Sequence, residues 1–220
     1  EEWAKKLLVK RHYGEENAKV EYPALDREPI TWESDRYVHF VIIGMSRMGV
    51  ALGVEAAHLL HFPNFCRDKR LKSRITFIDK EMNFFRGRYR HYFDLSLSYY
   101  RNMEQIEKVH TILPNQIYGK EVNFLDIEFE FIKGQAETPE IQQLLAQWAK
   151  DPQQELSIAI CLNFPPQSMA MGLYLPDVIY DQNIPVFIRQ ETSSALLDML
   201  NNRIKKVEPL FACVSVRYAD

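Results

Sequence analysis

The stretch from His39 to Asp79 constrains the fold more than any other part of this chain. His39-Phe40-Val41-Ile42-Ile43 is a short apolar, β-rich run, which is how a strand buried on both faces reads. Gly44 ends it, and Val50, Val54, Ala57 and Leu60 are spaced for a helix from about residue 48 to 60. Phe62-Pro63-Asn64 closes that helix, and a charged loop leads to Arg74. Ile75-Thr76-Phe77-Ile78-Asp79 is then a second strand ending on a carboxylate. Strand, tight glycine turn, helix, strand is a βαβ unit.

The remaining pattern extends this unit. Strands are expected over 127–132, 156–162, 185–189 and 210–216, with helices over 168–180 and 193–201 between them. Thr138-Pro139-Glu140 starts a further helix with proline at its first position and Ile141, Leu144, Leu145 and Trp148 on its apolar face. Six strands alternating with helices imply a doubly wound α/β fold, a mostly parallel Rossmann-like sheet with helices on both faces. Residues 80–124 are longer than a standard connection and rich in Tyr, Phe and Arg. They read as an insertion with helices near 81–94 and around 97–109.

Ahead of this domain, which is expected to span 38–220, residues 1–37 divide in two. Trp3, Leu7 and Leu8 share one stripe of a helix over 1–13. Pro23 and Pro29 break any helix between residues 15 and 36, so that stretch reads as a linker or extended arm. The helix is expected to dock on a preceding domain or a partner chain. The chain starts at Glu1 rather than at methionine, and it is expected to be a piece of a longer protein.

Composition excludes several classes. With 46% apolar residues the chain can bury a core, so disorder is excluded. The 27 basic and 30 acidic side chains leave a net charge of −3, which gives no general attraction to nucleic acid or an anionic membrane. Three scattered cysteines form no C-x-x-C pair, so neither a disulfide framework nor a zinc ribbon is suggested. Cys161 and Cys213 read as small core residues of a reducing compartment. No apolar run approaches the ~20 residues that span a bilayer. A cytoplasmic protein, or the cytosolic part of a membrane protein, is expected.

In a doubly wound sheet, ligands bind beyond the carboxyl ends of the strands, where the strand order reverses. Gly44-Met45-Ser46-Arg47-Met48-Gly49 matches the G-x-G-x-x-G fingerprint except at Ser46. Gly44 permits the tight turn, Gly49 lets the helix approach the strand, and the helix N-terminus seats a phosphate. The Ser46 hydroxyl is itself a candidate phosphate donor. Asp79, followed by Lys80, can accept both ribose hydroxyls of an adenosine. It lies further along the chain than the about 20 residues usual for the fingerprint, and the charged loop 64–73 takes up the excess. Gln135 and Ala136, in the glycine turn after the third strand, and Asn163 and Phe164, after the fourth, are placed to flank the adenine.

Taken together, these residues resemble the RCK (TrkA-N, or KTN) nucleotide-binding domain of potassium channels and transporters. That family reads strand-G-x-G-x-x-G-helix, a strand ending in Asp, a G-D-A-T-x-P-x-x-L turn and helix, then a strand ending in Arg. The corresponding segments are 41–49, 75–79, 134–141 and 185–189. Ser46 and Gln135 stand where the family usually has glycine and aspartate. The resemblance covers about residues 38–215 and is nearest to the later half of tandem-Rossmann TrkA-N proteins. It implies binding of NAD(H), ATP/ADP or a related nucleotide, a homodimer, contact with a membrane subunit, and regulation of potassium flux rather than catalysis.

Other readings compete with it. A hydrolase elbow needs G-x-S-x-G and a following Asp–His pair at strand ends, but the histidines after the turn lie near a helix end (His58, His61) or in the insertion (His91, His110). His58, His61 and Cys66 are conceivable metal ligands but read better as residues near a helix end. An NAD-dependent oxidoreductase needs a substrate domain, and none of the 11 tyrosines has a lysine four residues later. A degenerate Rossmann module used only for protein interaction is the third class.

Overall fold

Strands at Tyr37–Ile43 (β1), Ser73–Asp79 (β2), Leu97–Asn102 (β3), His110–Ile112 (β4), Ile127–Lys133 (β5), Gln154–Ile160 (β6), Val186–Gln190 (β7) and Cys213–Ser215 (β8) form one sheet. The structure is a computed structural model that describes residues 25–26, 29–82, 93, 97–104, 110–112, 126–190 and 213–215. The sheet order is β4-β3-β5-β2-β1-β6-β7-β8. Every neighbouring pair is parallel except β3 and β4, which are antiparallel. The expected doubly wound α/β sheet is present, and it carries two further strands from the insertion on one edge.

Helices Arg47–Leu59 (α1), Asn64–Arg67 (α2), Pro139–Ala149 (α3), Pro165–Tyr174 (α4) and Asp177–Asp181 (α5) connect the strands. Strand alternation divides the core into two. On one face Phe40, Ile42, Ile75, Phe77, Phe129 and Phe131 pack beneath Val50, Leu52 and Ala56 of α1. On the other, Val41, Ile43, Ile78, Ile158 and Ile160 pack beneath Ile141 and Leu145 of α3 and Met169 and Met171 of α4. Each such side chain removed from water contributes about 1.5–3 kcal/mol, so both helical layers are held mainly by apolar burial. The close approach of α1 depends on Gly53, where an added Cβ would lie 2.4 Å from Phe77 Cζ. From the expected arm, Leu25 and Ile30 join the first core, so this part of the arm packs on the domain.

Two expectations for helices are corrected. The helix around 97–109 begins instead with β3, paired with β5 from Leu97↔Glu128 to Asn102↔Lys133. Its side chains alternate: Tyr100 packs on the aromatic core while Arg101 turns to the opposite face and pairs with Glu130 at 2.9 Å. A period of two is a strand's period, and it wins once a sheet edge is there to receive it. The single helix over 168–180 is two, α4 and α5, separated at Leu175-Pro176. Proline cannot donate to a continuing helix and biases the residue before it to extended backbone, here ψ 150° at Leu175. The helices expected over 1–13 and 193–201, and most of that near 81–94, lie outside the described residues.

Towards the amino ends of the strands, buried polar groups satisfy one another. Asp151 accepts from Gln154 Nε2 at 2.8 Å, which turns the Gln154 oxygen toward His39. His39 Nδ1–H donates to that oxygen at 2.6 Å, and Nε2 accepts the Thr76 hydroxyl at 2.8 Å. The imidazole also meets Trp148 edge to face at 4.6 Å. Full burial, followed by the nearby Arg74 guanidinium, lowers the His39 pKa to about 3, so the ring is neutral. Beside it, Arg74 pairs with Glu128 at 2.6 Å, and Arg36 pairs with Glu155.

Candidate functional site

The strand order reverses at β1, between β2 on one side and β6 on the other. Chain connections leave these neighbours in opposite directions, which opens a crevice beyond their carboxyl ends. It encloses about 650 Å³, within the range of small-molecule sites. Ile43, Gly44 and Ser46 form its floor. Asp79, Lys80 and Glu81 from the end of β2, with Gln135, Ala136 and Glu137 after β5, form one wall. Asn163 and Phe164 after β6, with Gln167, Ala170, Met171 and Tyr174 along α4, form the other.

The floor is built by glycine. Gly44 has φ +96°, and an added Cβ would stand 2.8 Å from the Cys161 carbonyl carbon. Gly49 has its own reason: a Cβ there would sit 2.3 Å from the Gly44 oxygen. Between them Ser46 caps α1, its Oγ accepting the Gly49 N–H at 3.2 Å. The first intrahelical bond is Val50 N–H to Ser46 O at 2.9 Å. Arg47 and Met48, the first two residues of α1, therefore have amides that no helical carbonyl can take, at the positive end of the helix dipole. The serine that breaks the fingerprint thus does a cap's work, and its hydroxyl proton remains available to a ligand.

Asp79 closes the other side of the turn. Its Oδ2 accepts the Met45 N–H and its Oδ1 the Glu81 N–H, both at 2.8 Å. The carboxylate is thereby fixed at the crevice, and each oxygen keeps a second lone pair for a hydroxyl donor. The turn after β5 is similarly braced. Thr138 Oγ1 donates to Gln135 O at 2.9 Å, and Gln142 Nε2 donates to Ala136 O at 2.7 Å.

Among the residues expected from sequence, Gly44, Ser46, Asp79, Lys80, Gln135, Ala136, Asn163 and Phe164 all line this crevice. Met45, Arg47, Met48 and Gly49 do not. The Met45 side chain is fully buried in the core on the α1 face, so only its backbone serves the turn. Arg47 is exposed at the first position of α1, Met48 packs against the core, and Gly49 is buried against Gly44. Glu81, Glu137 and the α4 stripe were not foreseen. The stripe was readable as Gln167, Ala170, Met171 and Tyr174, an i, i+3, i+4, i+7 series on the helix after the fourth strand.

Among the described residues, no group of three or more His, Cys, Asp or Glu side chains is placed to hold a metal ion. His61 Nδ1 instead lies 2.7 Å from Asp126, and His58 lies 3.8 Å from Glu55. No described helix is long and apolar enough to cross a membrane. No protein-family model matches the chain, and neither does a curated protein or a solved structure.

Proposed function

We propose that this chain is a nucleotide-binding regulatory domain, taking NAD(H) or an adenine nucleotide such as ATP or ADP, and that it senses its ligand rather than transforming it. One observation carries the reading: the Gly44 turn, the start of α1 at Ser46 and the Asp79 carboxylate open into a single crevice at the point where the sheet order reverses. An anion at the helix start and a hydroxyl pair at a fixed carboxylate are the two ends of a 5′-phosphorylated ribose. The order of four motifs resembling the RCK or TrkA-N domain supports a role in regulating potassium flux through a channel or transporter, as a homodimer attached to a membrane subunit. Ligand binding can bias such an assembly only through a difference in affinity between its two arrangements.

Calorimetric titration with NADH, NAD+, ATP and ADP tests the reading. Binding to the wild-type chain is expected, weakened about tenfold or more by Asp79→Asn, because a hydrogen bond to a charged acceptor is replaced by one to a neutral amide. A thermal melt of the variant checks that the turn persists. No binding by any of the four, or equal binding by the variant, removes the reading.

A further inference from the structure

Large apolar side chains stand in water at both poles of the sheet. Among the described residues, Phe164 and Tyr174 are exposed where they line the crevice beyond the carboxyl ends of the strands. Trp32, 52% exposed, and Leu59, 41% exposed, lie at the opposite pole. Trp32 is in the arm that enters β1, and Leu59 ends α1 just ahead of α2.

The turn that carries Trp32 is fastened to the domain. Ile30, ahead of it, is buried in the core on the α1 face. Thr31 N–H donates to Ser34 Oγ at 2.9 Å, and Ser34 N–H donates to Thr31 O at 3.1 Å. Asn64, buried at the start of α2, donates to the Ser34 and Arg36 carbonyls at 3.1 and 2.7 Å. The Arg67 guanidinium donates to Ser34 O at 3.0 Å and to Asp35 at 2.5 Å. A tryptophan presented on a backbone held in this way gives up little freedom on contact, which suits it to anchor an interface.

The charges around it have both signs. Glu33 and Asp35 stand on the turn, and Arg67, Lys69 and Arg70 on α2 and the loop after it. Asp35 answers Arg67, and Asp68 answers Arg70 at 2.7 Å. Glu33 and Lys69 are exposed and enter no hydrogen bond or ion pair among the described residues; the Lys69 ammonium rests 4.1 Å from the centre of the Phe65 ring. One open acid and one open cation thus stand on adjacent segments, which the Asn64 and Arg67 bonds hold together. RNA or an anionic bilayer would be repelled by Glu33 and Asp35, and a polycation by the loop. A surface carrying the same charges in reversed order matches both, and a two-fold axis through the patch supplies it from the chain itself.

We infer that this pole is the surface on which two copies of the chain pair. Trp32 and Leu59 pack against the same pole of the second copy, and Glu33 of each copy meets Lys69 of the partner subunit. The crevices, at the opposite pole, face away from the contact. The inference rests on the homodimer reading above and names its surface.

Sedimentation equilibrium at low ionic strength, where exposed ion pairs are least screened, tests this. The wild-type chain is expected to be a dimer. Trp32→Ala should raise its dissociation constant about tenfold or more. Glu33→Lys and Lys69→Glu should each weaken it as well, every substitution counting twice across a two-fold axis. The double variant Glu33→Lys, Lys69→Glu should restore dimerisation, because the pairs re-form with their signs exchanged. All of these side chains are exposed, so the fold should survive, which a thermal melt reads. A dimer that Trp32→Ala leaves intact, or a double variant no tighter than either single one, overturns the inference and leaves the homodimer reading standing. A monomeric wild-type chain, whether it sediments with RNA, with anionic vesicles or with neither, overturns both.

Discussion

The two ends of the sheet handle polarity in opposite ways. Towards the amino ends, His39 is packed between the sheet and Trp148 of α3, and it, Thr76, Gln154, Arg74 and Glu128 are paired within the protein. At the carboxyl ends, Lys80, Gln135, Glu137, Asn163 and Gln167 line an open crevice, and their side chains enter no hydrogen bond or ion pair among the described residues. A buried polar group without a partner costs about 1–3 kcal/mol, so the pairing of these side chains with one another spares the first end that cost. The second end stays solvated and available. One end pairs its polar groups within the protein, and the other leaves those of the crevice open to solvent.

Substitutions should separate the two ends. The largest effect is expected for Gly49→Ala, which places a methyl group 2.3 Å from the Gly44 oxygen. Backbone must move at the floor of the crevice, at a cost of about 3 kcal/mol in urea unfolding and with loss of ligand binding. An unchanged unfolding midpoint would show that the turn is soft.

An intermediate effect is expected at the other end, from acid. His39 has a folded pKa of about 3, below its ordinary 6.5, so between these values the unfolded chain binds the extra proton. Stability should be highest above pH 6.5 and fall with a slope of about 1.4 kcal/mol per unit as pH drops below it, a loss of about 2 kcal/mol by pH 5. His39→Gln should remove that slope and leave nucleotide affinity at pH 7 unaltered. A variant as acid-sensitive as the wild type would place the titrating group elsewhere.

The smallest effect is expected for Ser46→Ala, which loses the cap of α1 and costs about 1 kcal/mol in thermal or urea unfolding. If the hydroxyl also donates to a phosphate, this variant loses affinity beyond what its stability loss explains, which calorimetry would read. Equal affinity would limit Ser46 to capping.

How much of this was legible depended on whether local pattern and final environment agreed. For β1, β2, β5, β6 and β7 they did: central parallel strands are apolar on both faces, and the runs around Val41, Phe77 and Ile158 cannot be accommodated elsewhere. The Gly44 turn was legible because glycine is demanded there by a positive φ. β3 was not, since Ser98, Tyr99, Tyr100 and Arg101 show no apolar alternation until the aromatic core and Glu130 supply two different faces. Met45 was placed at the site because its position in the motif is at the site. The φ of +96° at Gly44 precedes a side chain that lies in the core, which a linear motif does not encode. The α4 stripe was missed for a related reason: an exposed Tyr174 on a helix becomes part of a site only when the strand order opens a crevice beside it.

The position of β5 has a consequence for how this molecule assembles. It enters between β2 and β3, both of which precede it in the chain, and β3 has no contact with β2 until β5 fills the gap. Before that moment β3 can pair only with β4, and an isolated two-stranded ribbon is marginal in water. Closure of the edge is therefore a long-range, late event, slow by the ordinary dependence of rate on the separation of contacting residues. The turn carrying Gln135 and Ala136 arrives with that same strand, so a nascent chain acquires its βαβ turn first, completes the Asp79 wall of the crevice with β5, and gains the opposite wall only with β6 and the helix after it.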